Sequence, residues 1–144
     1  MIREVKATDY LDSITALAAE NWQETGFDFE LKPSRALYQA LEDCGALVCL
    51  AAFDGDAIVG YVTGTISGHL FNEDIKVCST DALFVKQSHR DGTIPGRLIL
   101  ETERLAKSKG AQMMIWQTRA GTGLASTLMK RGYRESDLAV MKEI

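Results

Sequence analysis

The sequence predicts an α/β (α+β) fold, a mixed and mostly antiparallel sheet of roughly six to seven strands flanked by about four helices. Three observations carry that expectation. Apolar runs of strand length crowd the middle of the chain, and the first two are joined by the turn signal Asp54, Gly55, Asp56. Segments with apolar residues at helical spacing lie on either side of them. After Val85 a glycine-containing loop, a striped helix and another apolar run follow in turn, the layout of a crossover between parallel strands.

The elements follow in order. Residues 1–6, with Ile2 and Val5 among charges, suit a short first strand. Thr8 or Asp9 can cap a helix over about residues 9–24, with Ile14, Leu17, Ala18 and Trp22 at helical spacing and Gly26 at its end. A loop carrying Phe27 and Phe29 closes at Pro33, and Ser34 caps a second helix. Leu37, Leu41 and Cys44 share a face of that helix, and Gly45 stops it. Residues 46–54 and 57–67 form a hairpin. A loop around residues 68–74 leads into a long strand, residues 75–85. The next helix, about residues 95–108, has the stripe Leu98, Ile99, Leu105 and Ala106 and ends at Gly110. Residues 111–118 read as a buried strand, 121–132 as a short helix, and 133–144 as one or two final strands. No repeat or linker interrupts this order, so residues 1–144 read as one domain.

Composition narrows the class of function. Hydrophobic content of 46% and charged content of 25% are ordinary for a globular protein. A net charge of −4 argues against general nucleic-acid binding, which needs a basic face. Cys44, Cys49 and Cys78 are odd in number and lack metal-ligand spacing, which predicts reduced cysteines and no metal. The opening residues lack the apolar region of a signal peptide, and no apolar run approaches ~20 residues, so a cytoplasmic chain without a membrane span is expected.

The stretch HRDGTIPGRLI, residues 89–99, stands between strand and helix. A helix N-terminus carries unpaired N–H groups and partial positive charge, and glycines let those amides approach an anion. Gly92 and Gly96 flank Thr93, Ile94 and Pro95, while Arg90 and Arg97 add positive charge, so diphosphate is a sensible ligand. Pro95 equally suits a plain connector, since proline favours the first helical position.

With this loop in that place, the chain resembles the GNAT superfamily of acyl-CoA-dependent N-acetyltransferases over essentially its whole length. ALFV, residues 82–85, matches the end of the family's long fourth strand. Arg90 matches the first position of its Q/R-x-x-G-x-G/A loop, and RGY, residues 131–133, its corner before the last strands. The resemblance implies acetyl-CoA or another acyl-CoA as donor. Its diphosphate would lie on the loop amides and its pantetheine against a splay between the fourth and fifth strands. The implied cofactor-binding residues are Phe84, Val85, Arg90, Asp91, Gly92, Thr93, Ile94, Gly96 and Arg97. Thr93 and Pro95 depart from the family pattern at its glycine positions. Leu128 stands where a tyrosine acid is usual, and Gly121 and Leu124 stand at its customary Asn and Ala positions.

Amide formation from a thioester needs a neutral amine, a polarised carbonyl and a proton for the leaving sulfur. Asp81 is the candidate general base, on a face shared with Ser79, Leu83 and Val85 if the strand is regular. His89 suits the loop edge better than catalysis, His69 a surface loop, and Tyr133 a buried turn. Trp22, Phe27, Phe29 and Tyr38 cluster in the region that lines the acceptor side in the family, where Asp28 and Glu30 can attract an ammonium. Core packing of those aromatics with exposed acids is the competing reading. The expected function is transfer of an acetyl or other short acyl group from CoA to a primary amine, small-molecule or protein, by direct attack. The alternative is a catalytically impaired protein of this fold that binds CoA or a protein partner. Homodimers are common among such enzymes.

Overall fold

The apolar runs in the middle of the chain form the sheet. In the computed structural model, which describes residues 1–119 and 122–144, the strands lie side by side in sequence order. They are β1 (Ile2–Glu4), β2 (Leu47–Asp54), β3 (Ala57–His69), β4 (Asn72–Val85) and β5 (Met113–Trp116). Neighbours are antiparallel except β4 and β5, which are parallel. The helices are α1 (Leu11–Glu20), α2 (Arg35–Asp43), α3 (Ile94–Ser108) and α4 (Gly123–Lys130). A parallel pair needs a crossover, and α3 supplies it.

The sheet is covered on both faces. Cys49, Ala51 and Phe53 of β2 pack with Ile14 and Leu17 of α1, with Tyr38 and Leu41 against them from α2. The alternate residues Leu50 and Ala52 pack with Leu98 of α3, and Val48 packs with Ala106. A strand buried on both faces must read as a continuous apolar run, and β2 does.

Several expectations are corrected. The sheet has five strands, fewer than six to seven, because residues 133–144 contain none. Leu138, Val140, Met141 and Ile144 are exposed there. Strand preference expresses itself through cross-strand partners, and this segment has none in the sheet. The expected loop at 68–74 is mostly strand, with Leu70 and Phe71 at the tip of the β3–β4 hairpin. The first helix stops at Glu20, and a 3₁₀ turn over Trp22–Thr25 ends at Gly26, whose φ of +74° suits glycine. Neither Thr8 nor Asp9 caps α1. Thr8 instead donates from Oγ1 to Glu42 Oε2 at 2.8 Å, tying α2 to the start of the chain. Ser34 does cap α2, accepting from the Leu37 amide at 3.1 Å. The inward face of α2 is Tyr38 and Leu41, leaving Leu37 and Cys44 exposed. Gly121 lies outside the described residues.

Candidate functional site

The site starts from one extra residue in β4. Thr63 of β3 faces Ala82 and the next residue, Gly64, faces Thr80, so Asp81 is a bulge with no partner. Gly64 permits the close approach: a Cβ there would lie 2.9 Å from the Ser79 carbonyl oxygen. The bulge reverses the alternation of the strand. Cys78 packs on the α3 side before it, and Leu83 and Val85 on that side after it, while Ala82 and Phe84 turn to α1 and α2. The regular face expected for Asp81 therefore does not exist.

Beyond the bulge β4 leaves its parallel neighbour. Val77, Cys78, Ser79 and Thr80 pair with Met113, Met114, Ile115 and Trp116, and the pairing ends there. The Lys86 amide donates to Val59 of β3 at 2.8 Å, so by alternation Leu83 and Val85 turn their backbone groups to the open side. The gap is a cleft of about 710 Å³. Its floor is residues 81–85, with Trp22 and Phe27 on one wall and Thr118, Arg119, Leu124 and Thr127 on the other. Arg90, Pro95 and Ile99 close the end nearest α3.

The loop after β4 makes a 3₁₀ turn over Gln87–His89, and α3 begins at Ile94 with Pro95 in its first turn. The amides of Gly92, Thr93, Ile94 and Gly96 find no backbone acceptor among the described residues. Pro95 has no N–H to offer. Arg90 does not reach around the loop. Its Nε donates to the Val85 carbonyl at 2.6 Å, and its guanidinium lies 5.3 Å from the centre of the Phe84 ring. His89 is held between Asp54 (3.1 Å) and Ser88 (2.8 Å), turned to the β2–β3 end of the sheet. His69 ends β3 and accepts from the Phe71 amide at the hairpin tip. Asp91 and Arg97 are exposed.

One residue that sequence reasoning missed stands beside this corner, on the side of a neighbouring groove. Arg131, the residue capping the end of α4, lies against the first turn of α3, where a Cβ on Gly96 would come within 2.7 Å of Nη2. Arg97 and Arg131 have no carboxylate partner among the described residues. Guanidinium groups at the positive end of a helix dipole are unfavourable until an anion compensates them. The only sequence signal was the RGY corner itself, because the contact joins residues far apart in the chain.

The titratable groups separate by position. Asp81 is exposed along the cleft, yet the surrounding protein removes enough water to hold its carboxyl above the usual range. Burial, then the nearby Asp81 charge, raises Tyr38. Burial, then Tyr38, raises Tyr61 in the cleft floor. Tyr133 donates to Glu103 at 2.6 Å in a separate groove beside α3, and burial and that bond raise it further. Leu128 is buried in the interior, so no acid enters the cleft from that position. Burial pushes the Cys49 thiol up to about 12 and the Cys78 thiol up to about 11, which leaves both protonated and inert. Trp22, Phe27 and Phe29 do cluster, but Tyr38 belongs to the core face of α2. Asp28 and Glu30 do not line the cleft; Glu24 does, 3.5 Å from Arg119 of the opposite wall.

A scan against protein-family profiles matches residues 12–133 to the acetyltransferase (GNAT) family. No curated protein matches the sequence. Among solved structures, an aminoglycoside acetyltransferase from an uncultured soil metagenomic sample superposes with a TM-score of 0.78 at 21% identity, covering 100% of this chain and 97% of its own. An aminoglycoside N-acetyltransferase in complex with CoA gives 0.75 at 17%, covering 100% and 93%. A ribosomal-protein-alanine N-acetyltransferase from Brucella melitensis gives 0.71 at 15%, covering 100% and 99%. At such identities these are likenesses of fold.

Proposed function

The chain belongs to the acetyltransferase (GNAT) family, and from that premise we propose that it moves an acetyl or other short acyl group from acyl-CoA to a primary amine by direct attack in a ternary complex. The observation that carries the reading is the parting of β4 from β5 after Thr80, which opens a cleft that ends at Arg90 and Pro95 beside the start of α3 and has an aromatic wall. The donor's diphosphate suits the amides of Gly92, Thr93, Ile94 and Gly96 with Arg97 and Arg131 beside them. Its pantetheine amides suit the outward backbone groups of Leu83 and Val85. The Val85 carbonyl accepts from Arg90 and has a second lone pair for that pairing.

Bound acyl-CoA supplies a thioester whose carbonyl carbon gains a bond to the amine nitrogen as its bond to sulfur breaks. An ammonium acceptor gives up two protons on the way to the amide; one ends on sulfur and one in solvent. Asp81 takes the first, directly or through a water, and its raised proton affinity suits that work. With leucine at 128, the sulfur takes its proton from solvent, which is tolerable for a thiol of pKa about 8.5. Cys49 and Cys78 are buried and Cys44 does not line the cleft, which disfavours a cysteine acyl-enzyme route.

Calorimetry with acetyl-CoA followed by thiol release across a panel of amines, including aminoglycosides and peptide N-termini, tests the proposal. Saturable binding and turnover of at least one amine are expected. Absence of binding contradicts the assignment. Binding without turnover favours a second reading, a CoA-binding protein with impaired catalysis, whose motive is the buried leucine at the usual acid position.

A further inference from the structure

The wall of the cleft opposite α4 is aromatic, and none of the apolar clusters of the core contains it. The rings of Trp22, Phe27 and Phe29 lie 4.9–5.6 Å apart, centre to centre. Phe27 is 39% exposed and Phe29 58%. The turn that carries them is locked by its own bonds. Trp22 Nε1 donates to the Phe29 carbonyl at 3.2 Å, Thr25 Oγ1 to the Trp22 carbonyl at 2.6 Å, and the Phe27 amide to Thr25 Oγ1 at 3.2 Å. With its only polar atom engaged, Trp22 presents hydrocarbon and π surface to the cleft. Water-exposed aromatic surface that is pre-organised and continuous with a cleft marks a binding wall.

The charges in the cleft are few. Among the described residues its carboxylates are Glu24 and Asp81, and its guanidinium groups are Arg90 and Arg119. Glu24 is paired with Arg119, and nearby Glu20 with Lys86 at 3.6 Å. Asp81 is left as the one carboxylate to receive a cation, and Arg90 stands toward α3.

Resting on the acyl-transfer reading, we propose that the acceptor is a monoamine carried on a flat aromatic or apolar body, its ring against Trp22 and Phe27 and its nitrogen at Asp81. One carboxylate matches one ammonium, and a polycation would meet Arg119 instead of further acids. The rings add cation–π attraction for the incoming ammonium and dispersion for the body it carries.

The test compares kcat/KM for thiol release from acetyl-CoA with 2-phenylethylamine, n-butylamine, spermidine and a short peptide with a free N-terminus. 2-Phenylethylamine should exceed each of the others by tenfold or more. Trp22→Leu and Phe27→Leu should each raise its KM at least fivefold while leaving the KM for acetyl-CoA unchanged. Equal or better use of n-butylamine, spermidine or the peptide overturns the acceptor class while leaving acyl transfer standing, as does an unmoved KM in both variants. If acetyl-CoA binds and no amine is turned over, catalysis fails instead. Calorimetric binding of 2-phenylethylamine to the acetyl-CoA-loaded protein then decides the class, a tenfold preference over n-butylamine supporting it and no preference overturning it.

Discussion

Asp81 and Arg131 show how single residues acquire roles from neighbours distant in sequence. Asp81 is open to the cleft only because a bulge removes it from the regular ladder. Its carboxyl is raised by desolvation, so the folded state holds that proton more tightly than the unfolded chain does. The charged form therefore costs stability above the raised value, and the penalty disappears as pH falls toward the ordinary value near 3.9. Asp81→Asn should lower kcat by about 10²-fold or more. It should also raise Tm at pH 7, with the gain narrowing steadily as pH falls toward ~4 in thermal melts. A kcat that is unchanged would remove Asp81 from the mechanism. Arg131→Glu should weaken acetyl-CoA by about tenfold or more, some 1.4 kcal/mol in calorimetry, with little change in Tm because the side chain is exposed. An unaltered Kd would place the diphosphate elsewhere.

Among elements, the β3–β4 pair and α3 decide the geometry. Gly64→Ala would press a Cβ to 2.9 Å from the Ser79 carbonyl, forcing the strands apart beside the bulge. A loss of about 1–3 kcal/mol in denaturant unfolding is expected, together with a lower kcat. Leu98→Ala, in the fully buried face of α3, should lose about 2–5 kcal/mol. Most elements were legible because β2, β3 and β4 read as apolar runs, and α3 carries a clear stripe and a proline start. The shortfall lies where local pattern has no tertiary support. Residues 133–144 were expected to be strand yet add to neither edge of the sheet, and Leu37 fits a helical stripe yet faces solvent. The bulge was illegible because Gly64 and Asp81 say nothing about register until the strands meet. Arg131 was hidden for the same reason, since only the packing of α4 brings it to Gly96.

At the scale of the molecule, the two covered faces of the sheet meet at one opening. The start of α3 brings positive charge to one end, the turn after α1 brings an aromatic wall, and the bulge of β4 sets a carboxylate on the floor. With the donor's diphosphate proposed to be held by charge, the Kd for acetyl-CoA should rise as salt is raised from about 0.05 to 0.5 M, over which the screening length shrinks severalfold. An acceptor bound chiefly by aromatic contact should respond far less, which steady-state KM values at the two salt levels will show. The proposed mechanism requires acyl-CoA to bind in this opening. A crystal structure of the CoA complex tests it most directly. The diphosphate is expected on the amides of Gly92, Thr93, Ile94 and Gly96 beside Arg131, with the pantetheine along Leu83 and Val85 and its sulfur near Asp81. CoA bound anywhere else, or a β4 edge left empty with CoA at saturation, would contradict it.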